Sequence, residues 1–123
     1  MLAWHPEAMA LLVIEVKSVV PDVQATIFGL DRKARLAPIL VRDRGWEPTI
    51  VGRLLVIGDS STSRARIAAH EFVFARALPD RGSRVRRWLR EPLDPMAGIQ
   101  FVRNVLPDRR TERFAGRERV RAR

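Results

Sequence analysis

The chain contains no cysteine, so disulfides and thiolate metal sites are excluded and the cytoplasm is the expected compartment. Its two histidines, His5 and His70, stand far apart and offer no zinc-ligand spacing. No apolar run approaches the ~18 residues of a membrane span, so no membrane partner is expected. The opening MLAWHPEAMALLVIEV is not a secretory signal: it lacks a basic leader, and Glu15 interrupts its apolar stretch. Lysine is scarce as well, only Lys17 and Lys33 among 23 basic residues.

What is abundant is arginine. Basic residues outnumber the 14 acids by nine, and the pI is near 11.6. A GC-rich genome explains arginine over lysine, but not the excess over acids. That excess suits a polyanion, with DNA the first candidate. At 123 residues, 46% of them hydrophobic, the chain suffices for one packed domain.

MLAW reads as a strand end, HPEAM as a turn about Pro6, and ALLVIEVK as a strand buried on both faces. From Asp22, an N-cap candidate, Val23, Ile27, Leu30, Ala34 and Ala37 recur at helical spacing. Pro38 is expected to kink or interrupt this helix, with helical character resuming until Gly45. IVGRLLVIGD is the next strand. The serines and threonine of SSTS are helix caps rather than nucleophiles, and open a helix RARIAAHEFVFARAL, with Phe72 or Phe74 on its apolar face. RVRRWL alternates basic and apolar residues, which suits an edge strand, although its length also permits a helical turn; GIQFV is a weaker last strand. The expected order is β-β-α-β-α-β-β, an α/β domain over residues 1–106, followed by a basic disordered tail at 107–123.

LLVIEVKS poses the chemical question. On a strand, Val13, Glu15 and Lys17 share one face, with the two charged residues about 7 Å apart along it. That separation suits a shared phosphate and metal site better than a direct salt bridge: the carboxylate holds Mg²⁺ and the ammonium steadies charge on phosphoryl oxygens. The plain alternative is a strand end at which Lys17 snorkels to water.

LLVIEVKS followed by DVQATIFGLDRKARLAPIL, RGW and RLLVIGDS resembles the core of the PD-(D/E)XK, restriction-endonuclease-like, superfamily, in the form found behind a helix-turn-helix module in bacterial regulator-like proteins. The likeness runs from about Leu2 to Phe101. It implies a restriction-endonuclease-like mixed sheet flanked by helices and a DNA endonuclease dependent on Mg²⁺ or Mn²⁺. Glu15 would be the metal ligand, Lys17 the water-orienting group and Gln24 a residue near the active site. Gln24 also fits an ordinary exposed helix position. The superfamily places an Asp on the strand before IEVK, but MLAW has no acid and Glu7 lies in the turn. The missing Asp would fall just ahead of Met1, so either the chain starts inside a longer protein or its site is degenerate. One carboxylate and one lysine make a poor two-metal site.

Two functions therefore stand: a metal-dependent nuclease domain, or a non-catalytic DNA-binding or regulatory module that kept the fold. In either, Arg32, Lys33 and Arg35 on the first helix, Arg64 and Arg66 at the start of the second, and the tail are the candidate DNA contacts. Trp46 and Trp88 read as packing residues, with Trp88 flanked by arginines that could also place it beside DNA.

Overall fold

The structure, a computed structural model, describes residues 1–103, so the expected tail at 107–123 lies outside the described residues. Strand β1 (Leu2–His5) turns through residues 6–9 into β2 (Ala10–Lys17). The turn closes with the Met9 amide donating to the Pro6 carbonyl and places Met9 at φ 52. The pairing is antiparallel, with Leu2 opposite Val13 and His5 opposite Ala10.

Helix α1 (Val23–Leu40) follows, capped by the Asp22 carboxylate, which accepts from the Ala25 amide at 3.0 Å. Its stripe of Val23, Thr26, Leu30, Ala34 and Ala37 is buried. The interruption expected at Pro38 does not occur there. Pro38 sits in the last turn, where its missing N–H forfeits a single bond, and the helix continues to Leu40. A 3-10 turn (Val41–Arg44) then tightens the chain, and Gly45 at φ 78 ends it.

Strand β3 (Ile50–Gly58) pairs in parallel with β2, Glu15 lying opposite Leu55. Helices α2 (Ser61–Ala69) and α3 (Glu71–Ala77) replace the single helix read from sequence. The break falls at His70, whose carbonyl accepts from the amides of both Val73 and Phe74 and so starts a new helix. Phe74 is fully buried and Phe72 exposed, which settles which phenylalanine faces the core.

The segment RVRRWL is a correction: it is not an edge strand but lies within α4 (Gly82–Arg90), with Val85 and Trp88 buried three residues apart. The two-residue strand β4 (Asp80–Arg81) precedes it, and β5 (Met96–Val102) pairs in parallel with both β3 and β4. The observed order is thus β-β-α-β-α-α-β-α-β. The five-stranded mixed sheet is ordered β1-β2-β3-β5-β4, with only β1 antiparallel to its neighbour.

One face of the sheet carries Leu11, Val13, Leu55, Ile57 and Ile99 beneath α1, α2 and α3. The other carries Ala10, Leu12, Leu54 and Met96 against Val85 and Trp88 of α4. No helix among the described residues is long and apolar enough to cross a membrane.

Candidate functional site

Glu15 emerges from β2 on the face that α1 covers, one pleat beyond buried Val13. Its side chain is 18% exposed. Lys33 reaches across from α1 and places Nζ 2.5 Å from Glu15 Oε1, while Lys17 Nζ lies 3.5 Å from Oε2. The expectation that Glu15 and Lys17 would stand apart is therefore corrected. Side-chain reach closes the separation that the backbone sets, and the nearer cation comes from the helix. Lys33, expected as an outward DNA contact, is the principal partner of the carboxylate.

Partial burial would push the Glu15 carboxyl up. The hydrogen bond and charge of Lys33, then the charge of Lys17, outweigh it and hold the group below its ordinary value. A divalent cation needs oxygen ligands, and Mg²⁺ is bound through carboxylates and waters in near-octahedral geometry. Here both oxygens of the one carboxylate face ammonium groups. Among the described residues, no group of three or more His, Asp or Glu side chains gathers elsewhere. The donor set around Glu15 does not fit Mg²⁺ or Mn²⁺. Gln24 lies exposed on the first turn of α1.

The other candidate cations divide by what they already hold. Arg35 lies 3.6 Å from Asp31, which is also held at 2.5 Å by Arg53 of β3. Arg64 forks onto Asp59 through Nε at 2.6 Å and Nη2 at 3.0 Å, and its guanidinium lies 4.3 Å from the Phe101 ring centre. This hydrogen bond holds the Asp59 carboxyl low and raises Arg64. Arg66 donates to the Val20 and Pro21 carbonyls, tying α2 to the segment that leads into α1. Arg32 and Arg66 are the two of the five that are exposed and outside the ion pairs of the described residues, and Arg66 is already engaged by those carbonyls. Sequence reasoning passed over Arg76 and noted the arginines beside Trp88 only in passing; Arg76, Arg86, Arg87 and Arg90 are exposed and outside the ion pairs of the described residues.

The three tryptophans serve packing. Trp4 and Trp46 stack at 5.4 Å with planes 5° apart, joining β1 to the segment before β3, and Arg44 lies 5.2 Å from the Trp46 ring centre. Trp88 is 3% exposed and donates its indole N–H to the Asp94 carbonyl. Its alternative place beside DNA is thereby corrected. Ser60 caps α2 by accepting from the Ser63 amide, and buried Ser63 donates to the Ser18 carbonyl, so neither is set up as a nucleophile. His5 accepts from the Ala8 amide within the hairpin turn.

Comparison with protein-family models, with curated proteins and with solved structures finds no match to this chain.

Proposed function

We propose that the chain is a non-catalytic nucleic-acid-binding module on a restriction-endonuclease-like sheet whose metal position has become an ion-pair cluster. One observation carries the reading. The half-buried carboxylate at the expected metal position is engaged by two ammonium groups, while the surface keeps arginines outside the ion pairs of the described residues. The mixed sheet, with the hairpin β1–β2, the crossover α1 and the parallel β3, supports the reading. The nine-charge excess supplies attraction to phosphates that needs no particular base sequence.

The test is the affinity for a labelled oligonucleotide, read by fluorescence anisotropy as salt is raised from about 50 to about 200 mM. With about four phosphates contacted, log affinity falls against log salt with a slope near −3.6, a loss of roughly a hundredfold. A flat response would leave the arginine content as a bias of composition.

A specific register favours a second reading, phosphodiester hydrolysis by an extended chain. The Met1 amine donates to the Ile14 carbonyl and the Ile14 amide donates back to the Met1 carbonyl. A residue joined ahead of Met1 would therefore stand opposite Glu15, where the resembling superfamily carries its first Asp. Plasmid nicking in Mg²⁺ or Mn²⁺ by a chain extended with an Asp-bearing strand tests it. Activity lost in Glu15→Ala and Lys17→Met would support hydrolysis, and an inactive extended chain would end it.

A further inference from the structure

The outer face of α1 and α3 holds a groove that the Glu15 cluster does not touch. Two cavities, of about 400 Å³ and about 250 Å³, share Asp31 and Arg53 and run together between the helices. Arg53 of β3 forms the floor, α1 one bank, and Arg76 to Leu78 at the end of α3 the other. At the far end, Arg84 lies between Asp80 and Asp94, so acid is in excess there by one charge. At the near end Asp31 is the single carboxylate among the described lining residues, against Arg53 and Arg76, so the positive excess lies at that end. Each guanidinium carries five N–H donors, so the contact with Asp31 leaves most of those on Arg53 unused.

The exposed surfaces of the two helices repeat one pattern, of which Phe28 and Arg76 line the groove. Phe28 and Arg32 stand four residues apart on α1, and Phe72 and Arg76 stand four apart on α3. Helix α1 lies in the crossover from β2 to parallel β3, and α3 ends the return from β3 to β4. Phe28 is 64% and Phe72 77% exposed, and the Arg76 guanidinium lies 5.8 Å from the Phe72 ring centre. Along each helix, ring and guanidinium are about 6 Å apart in rise. Exposed aromatic faces next to cations suit flat, anionic partners.

We propose that this groove, with the exposed helix surfaces beside it, is a track for single-stranded nucleic acid, with bases stacked on Phe28 in the groove and on Phe72 beside it and phosphates held by Arg53 and Arg76. The proposal rests on the nucleic-acid reading above and narrows it. A duplex keeps its base faces stacked inside the helix and can offer only phosphates, whereas a single strand offers both.

The experiment measures anisotropy of labelled oligothymidine and of a duplex of equal length, using the whole chain. Phe28→Leu/Phe72→Leu keeps apolar bulk and removes the rings; Phe28→Tyr/Phe72→Tyr keeps the rings. The proposal expects the leucine pair to lose at least tenfold in affinity for oligothymidine, the tyrosine pair to bind as the parent does, and duplex affinity to stay unchanged in both. Arg53→Gln/Arg76→Gln should flatten the salt slope for oligothymidine. Parent binding with no effect of the leucine pair would overturn the groove and leave the general reading intact. Absence of binding to either probe would overturn both. Competition by a polyglutamate peptide of equal charge that proved as strong as oligothymidine itself would overturn the single-strand assignment in favour of an acidic peptide.

Discussion

Gly52→Ala is the substitution that most sharply probes how α4 is seated. A Cβ on Gly52 would lie 2.7 Å from Cη2, 2.9 Å from Cζ2 and 3.2 Å from Cζ3 of Trp88, inside the 3.4 Å at which ordinary contact begins. The ring has little room to withdraw, because it is buried and its N–H is held by the Asp94 carbonyl. Overpacking of this kind costs about 1–3 kcal/mol. Restricting the unfolded chain by replacing glycine returns about 0.4–1 kcal/mol. The net loss should be about 1–2 kcal/mol, which for a domain of this size lowers Tm by roughly 4–15 °C. Thermal unfolding followed by circular dichroism measures it. In a Trp88→Leu background the same change should become neutral or slightly stabilising, so the double-mutant cycle isolates the contact. An unchanged or raised Tm for Gly52→Ala in the parent would refute the packing of α4 on this face and reopen the strand reading of RVRRWL.

Three further outcomes are expected. Glu15 binds its proton less readily folded than unfolded, so its contribution to stability is complete above about pH 4.3, the ordinary glutamate value, and is lost as pH falls through the lowered folded value. Urea midpoints across that acid range should fall less steeply for Glu15→Gln than for the parent, and parallel curves would contradict the cluster. Lys33→Met should cost about 0.5–1 kcal/mol and Lys17→Met less, because Lys33 is the closer partner and both are partly solvated; equilibrium unfolding giving the reverse order would place the pairing wrongly. Asp22→Ala should lose about 1 kcal/mol in the same assay through the unpaired Ala25 amide, and no loss would count against the cap.

The parts of the fold that could be read from sequence are those with a strong local pattern. ALLVIEVK declares a strand, buried on both faces over its first four residues although Val16 is exposed, and the stripe from Val23 to Ala37 behind Asp22 declares α1. Helix α4 escaped because nine residues fit two periods at once, and only the docking of Val85 and Trp88 on the sheet decides between them. The two residues of β4 are too few to carry any period, and β5 owes its interior place to pairing with β3 and β4, which local sequence does not encode. At the site, alternation placed Glu15 and Lys17 on one face. Spacing within α1 could not tell that Lys33 leans towards a carboxylate on another element. The groove had one legible signal, the repeated Phe-x₃-Arg of Phe28–Arg32 and Phe72–Arg76. It gains meaning only once the two helices are known to lie side by side.

Whether nucleic acid is held without being cut is tested most directly by incubating the chain with a mixture of supercoiled plasmid and circular single-stranded DNA in low salt with Mn²⁺. Gels are run before and after the protein is stripped away. Retarded migration before stripping and intact circles after it are expected, for the parent and for Glu15→Ala alike. Unretarded DNA, or nicked and linear products that vanish with Glu15→Ala, would contradict it.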